Sequence, residues 1–200
     1  MADARRYNTV AMSLHWLIAV LIVTNIGLAW YFNGMPLGLT PEMHGLAKVA
    51  IIQIHKPIGI AILVLSLFRL AWRFISPPPP LPASVTGWER AAANTVYVLF
   101  YVVMIGMPLT GWIMVSASKT ILQYPISFFG LFNWPAISSL TTLPGPQQHQ
   151  THELFSSIHT YGAWLAYGLL VLHVGAALRH QLIKRDEVFW RMVPFVRRPA

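Results

Sequence analysis

The stretch Ile158-His-Thr-Tyr-Gly-Ala-Trp-Leu-Ala-Tyr-Gly-Leu-Leu-Val-Leu-His173 carries no acidic or basic residue other than a histidine near each end. At ~100° and ~1.5 Å per residue, the step from His159 to His173 falls ~40° short of four helical turns and rises ~21 Å. Both imidazoles therefore leave nearly the same face of one helix, at opposite leaflets of a bilayer. Ionisable side chains are costly in hydrocarbon, and those found there usually mark function.

Composition requires the bilayer. The chain has 200 residues, 56% hydrophobic and only 10% charged, with a mean hydropathy of +0.55. A soluble domain carries about 25% charged residues, so lipid must solvate most of this surface. Cysteine is absent, which excludes disulfides, Cys-ligated iron–sulfur or zinc sites, and haem attached through Cys-x-x-Cys-His.

Three further apolar segments are each long enough for the ~20 residues a crossing needs. The spans read as about 12–32, 51–75, 92–115 and 157–178, giving an all-α, integral membrane four-helix bundle. Residues 1–200 form a single transmembrane domain on this reading. The first span exceeds the ~7–15-residue apolar region of a signal peptide and lacks a small-x-small cleavage site. The second ends at Pro77–Pro80, which cannot continue a helix. Pro108 is expected to kink the third. The external connection, about 116–156, contains the aromatic run ISFFGLFNWPAI and reads as a short interfacial helix or an apolar cap, with Trp134 at headgroup depth.

The net charge of +8 is explained by topology. Arg5 and Arg6 precede span one; Arg69, Arg73 and Arg90 flank the loop between spans two and three; Arg179, Lys184, Arg185, Arg191, Arg197 and Arg198 follow span four. Only Lys48, Lys56 and Lys119 fall on the opposite side. The excess of cations on one side puts both termini in the cytoplasm and leaves no need for nucleic acid.

Depth then pairs the histidines. His15 begins span one on the cytoplasmic side, level with His173. His55 begins span two outside, level with His159. Two imidazoles facing each other across a bundle supply axial ligands for a planar macrocycle such as haem b, because cofactor sites in bundles are built from side chains on facing helices. Zinc is the poorer fit: it takes three or four protein ligands, and each layer offers two histidines without a convergent carboxylate. Two b-type haems follow, one near each face.

Other residues carry weaker signals. Gly27, Gly59, Gly106, Gly111, Gly162 and Gly175 suit either close approach of a flat ring or ordinary small-residue helix packing. Met12, Met104, Met107 and Met114 read as packing. His44 and His149 lie in external connections, and His152 lies above the membrane on the His159 stripe. His180, seven residues beyond His173 and ~10 Å deeper, is either an interfacial side chain or a hydrogen-bond and proton donor to a quinone.

At these residues the chain resembles the bacterial cytochrome b561 family. The matching segments are SLHW around His15, IHKPIGI around His55, FRLAWRF and PPPPLP after span two, MPLTGW in span three, IHTYGAWLAYGLLVLH, and AALRHQLIKRDEVFWRMVP. The resemblance implies that His15, His55, His159 and His173 ligate two haem b groups. It also implies a multi-pass protein of the bacterial inner (cytoplasmic) membrane that exchanges electrons with a quinone near His180. One branch resembles a superoxide oxidase, with superoxide as donor outside and ubiquinone as acceptor. Pro57 stands where the family usually has serine, and Ala93-Asn94 replaces a region where many relatives place a histidine. The alternative function is a membrane cytochrome b subunit relaying electrons for a partner redox protein, a dehydrogenase or hydrogenase. A proton or metal carrier is disfavoured, since the spans show neither a second ionisable series nor the paired half-repeats of transporters.

Overall fold

The structure is a computed structural model and describes residues 6–34, 41–82 and 85–194, with the side chains of residues 32 and 41–44 outside that description. Four long helices dominate: α1 (Thr9–Asn33), α2 (Pro41–Ile75), α3 (Gly87–Ser116) and α5 (Gly145–Leu178). Each contains a span long and apolar enough to cross a membrane. The fold is therefore a mostly helical membrane bundle, as the hydropathy pattern requires.

Local chemistry sets the ends. Asn8 caps α1 by accepting the Ala11 N–H at 2.8 Å, and the Gly34 N–H closes its other end on the Trp30 carbonyl. Glu89 accepts from the backbone N–H and hydroxyl of Thr86 at 2.9 and 3.0 Å, fixing the start of α3 in the manner of a capping box. The helices overrun the apolar windows, most of all α5, which begins twelve residues before the expected span at 157. Backbone hydrogen bonding does not stop at the hydrocarbon boundary, so hydropathy locates a span but underestimates its helix. α2 and α3 run through Pro57 and Pro108 without a break.

In the connection between α3 and α5 the aromatic run does not form the short interfacial helix that is one of its two expected readings. Ile126–Phe128 (β1) and Phe132–Trp134 (β2) form an antiparallel hairpin pairing Ile126 with Trp134, followed by one helical turn, α4 (Ser138–Thr141). Phe129 and Gly130 turn the chain with positive φ of 52° and 76°. The phenyl rings of Phe128 and Phe132 stack at 5.2 Å, and Ile126 is buried at 2% exposure, packed where β1 meets α2. The apolar-cap expectation describes this segment better than the helical one.

Packing is uneven. α1 packs along α2, α2 along α3 and α3 along α5, whereas α5 makes no comparably close backbone approach to α1 or α2 among the described residues. Apolar side chains such as Val20 (60% exposed) and Val171 (71% exposed) face outward, where lipid would cover them. On the face bearing the chain ends, a C-terminal strap lies across the bundle. Arg6 donates to the Val193 carbonyl, Trp16 to Met192 and Arg191 to Pro80, at 2.6, 2.8 and 2.6 Å.

Candidate cofactor site

The gap between α5 and the α1–α2 pair is bridged by imidazoles at two levels. The His15 and His173 ring centroids are 6.0 Å apart with planes at 67°. Those of His55 and His159 are 6.3 Å apart at 75°. With a metal–imidazole nitrogen bond of about 2 Å, two imidazoles holding one ion from opposite sides would have ring centroids about 6.2 Å apart. Both pairs match that spacing. They are too far apart to hydrogen-bond ring to ring and correctly spaced to share one ion between them.

The donor set also fits a macrocycle better than a bare ion. Among the described residues, no three or more His, Cys, Asp or Glu side chains cluster. Two imidazoles leave an octahedral metal four donors short, and a porphyrin would supply those four where the protein offers none. Among the described residues the backbone of α5 makes no close approach to α1 or α2 comparable with its packing on α3, so the contact across this side of the bundle is made by side chains.

Neighbouring residues orient the His55–His159 pair. His55 Nδ1 lies 3.3 Å from the Asn25 carbonyl of α1, an acceptor, so Nδ1 carries the proton and Nε2 keeps its lone pair. The Thr110 hydroxyl donates to the Met107 carbonyl at 2.8 Å and lies 3.0 Å from His159 Nδ1. Its hydrogen being committed, it accepts from Nδ1–H, and Nε2 of His159 is again left for a metal. Fixing the tautomer through the distal nitrogen is the usual support for a ligating histidine. Gly111 makes room for this ring, since a Cβ there would stand 3.2 Å from His159 Cε1.

The His15–His173 pair is held differently. The Phe100 ring lies 5.2 Å from that of His173, and Trp16 lies 5.4 Å from His15. Arg69 stands within electrostatic reach of both imidazoles and donates to the Ala11 carbonyl at 3.1 Å. His173 is the exposed member of the four.

His180 joins neither pair. It lies on a π-helical turn, Arg179–Lys184, where its Nδ1 meets Asp186 Oδ2 at 2.7 Å. Its chain neighbour Arg179 binds Glu89 at 2.8 Å, as does Lys184 at 2.7 Å. Arg73 packs its guanidinium over the Tyr97 ring, 3.8 Å from the centroid. His152 sits on α5 with Nδ1 2.9 Å from the Met114 carbonyl, His149 is exposed, and the His44 side chain lies outside the described residues.

Sequence reasoning missed Thr110, Asn25 and Glu89. Thr110 sits inside the quoted MPLTGW segment, but only the fold brings it to His159. The backbone carbonyl of Asn25 leaves no sequence signal at all. Glu89 did have one, as the fourth residue of Thr86-Gly-Trp-Glu.

A membrane-spanning helical bundle with imidazoles paired between its helices is the scaffold of a membrane cytochrome. The chain belongs to the prokaryotic cytochrome b561 family, whose model matches residues 6–195. It is similar to cytochrome b561 homolog 2 of Escherichia coli (strain K12), 30% identical over 94% of this chain and 91% of the relative. Cytochrome b561 homolog 1 of the same organism is 26% identical over 94% and 97%. The probable superoxide oxidase CybB of Yersinia pestis is 22% identical over 95% and 97%. Membership makes the protein a multi-pass bacterial membrane electron-transfer protein of a b-type haem family.

Proposed function

We propose that the protein is a two-haem electron carrier of the bacterial inner membrane that moves electrons between its outer face and a membrane quinone, with superoxide as donor and ubiquinone as acceptor. The observation that carries this reading is the pairing of four imidazoles, at 6.0 and 6.3 Å, on helices long enough to span the bilayer. When bound, b-type haems supply one-electron redox chemistry at the two depths. His15 and His173 hold the inner group by their ring nitrogens, and His55 and His159 the outer. Asn25 and Thr110 keep the outer Nε2 atoms unprotonated and aimed. The apolar walls exclude water, which favours transfer over side reactions.

Orientation follows from the cation bias, with both termini cytoplasmic. Lys48, Lys56 and Lys119 then give the outer face a local field that favours an anion such as superoxide. The likeness to a probable superoxide oxidase, at 22% identity, supports the same donor. On the inner side His180 is anchored through Nδ1 by Asp186 at 2.7 Å; as an imidazolium paired with that carboxylate it would also carry an Nε2–H able to donate to a quinone carbonyl and to supply the proton.

The test is direct. The purified protein should show a Soret band, two haems per chain and two one-electron steps on potentiometric titration. Stopped-flow mixing with superoxide should reduce it, and ubiquinone should reoxidise it. A single haem per chain sinks the two-centre reading. Reduction that requires a partner dehydrogenase or hydrogenase overturns superoxide as donor and leaves the relay role.

A further inference from the structure

On the same end of the bundle as His15 lies a cavity of about 170 Å³ lined by Arg6, Arg69 and Arg73 together with Ala11, Trp72 and Tyr101. No acidic side chain lines it, and none of the three arginines makes an ion pair with a carboxylate among the described residues. Arg6 Nε is buried without a hydrogen-bond partner. Guanidinium groups collected in this way without a counter-charge are costly, and the cost is relieved by an anion that accepts from their planar donors.

The position of the cavity says which anion. Ala11 is one helical turn from His15 on α1, and Tyr101 adjoins Phe100, which contacts His173. Arg69 follows His55 on α2 by the same fourteen-residue step that separates His159 from His173 on α5. It therefore occupies the inner-level position on the stripe that carries a ligand at the outer level. Arg69 thus links the cavity it lines to the inner imidazole pair, both members of which lie within its electrostatic reach. We propose that Arg6, Arg69 and Arg73 form a carboxylate site that takes the propionate groups of the inner haem.

This assignment rests on the two-haem reading. It gives the three arginines a second role besides topology: neutralising propionate charge favours the reduced, less positive iron and raises the inner potential.

The experiment uses the full-length protein purified with its haems. A wild-type preparation holding fewer than two haems refutes the two-haem reading itself, before any variant is made. With two haems present, Arg69→Gln and Arg73→Gln should each lower one midpoint potential and leave the other unchanged. The expected shift is about a tenfold fall in the reduced-to-oxidised ratio at fixed potential, or 59 mV for one electron. Arg69→Lys should restore most of it. Electrochemical infrared difference spectra, recorded with ¹³C-labelled propionate carboxylates, should show a labelled band moving in the Gln variants.

Unshifted potentials with unmoved carboxylate bands overturn the proposal. So does a fall in tightly bound anionic phospholipid with carboxylate bands unmoved, which would assign the cavity to a lipid phosphate. Loss of the inner haem in Arg69→Gln with retention in Arg69→Lys supports it. Loss in both Arg69 variants, with Arg6→Gln and Arg73→Gln unshifted, overturns it.

Discussion

His173 and Thr110 act at the level of single bonds. On the proposed two-haem reading, replacing His173 by Ala would remove one of the two residues holding the inner group and leave the outer level untouched, because the two levels lie about 21 Å apart along α5. The expected result is a fall from two haems to one per chain by pyridine haemochrome assay. Loss of both would indicate collapse of the bundle. Thr110→Val deletes the acceptor for His159 Nδ1–H while keeping the side-chain shape. A ligating imidazole without that acceptor is a weaker donor to the oxidised metal, so the outer midpoint potential should rise and the inner one stay fixed. Only the first of these residues is legible in sequence. A histidine in an apolar segment is conspicuous, whereas a threonine hydroxyl in a membrane helix commonly satisfies its own helix, as Thr110 also does toward Met107.

Helix ends and connections show the next level of control. Asn8 caps α1 at Ala11 and also ties its start to the end of α2, donating to Ser76 Oγ at 2.6 Å and accepting from Trp72 Nε1 at 3.2 Å. Asn8→Ala should cost about 1 kcal/mol through the cap alone, read as a lower melting temperature in detergent followed by haem absorbance. Glu89 joins the start of α3 to the π-turn through Arg179 and Lys184. Glu89→Gln weakens both ion pairs, and faster proteolysis within residues 179–190 should report the loosened turn. A π-turn interrupts the regular hydrogen-bond ladder and often marks a functional segment. Its signature in sequence is weak, since Arg-His-Gln-Leu-Ile-Lys reads equally well as an α-helical end. The hairpin at 126–134 is similar: an aromatic run flanked by Pro125 and Pro135 suits a cap of either secondary structure, and packing of Ile126 on α2 decides it.

Across the whole molecule, the spacing of α5 from α1 and α2 links cofactor to stability. Among the described residues α5 packs closely along α3 and not along α1 or α2, so on the two-haem reading its stability would depend on the groups held between the imidazoles. Protein produced under haem limitation should therefore accumulate poorly and show faster amide exchange in α5 than in α2, measured by hydrogen–deuterium exchange mass spectrometry. The field of the whole chain sets orientation as well: reporter fusions at either terminus should be active only in the cytoplasm, and an external reporter signal from both would reverse the assignment of donor and quinone faces.

The amino-acid sequence by itself determined the solvent, the spans and the depth of each histidine. Those follow from transfer free energy and a fixed rise per residue, both local properties. The tertiary structure decided which imidazoles approach to 6.0 and 6.3 Å, and that Thr110 and Asn25 support the outer pair. It also decided that Glu89 anchors the π-turn and that three arginines from α2 and the chain start share one cavity. These depend on how helices rotate about their axes and pack side by side, contacts between residues far apart in the chain that periodicity along one helix does not encode.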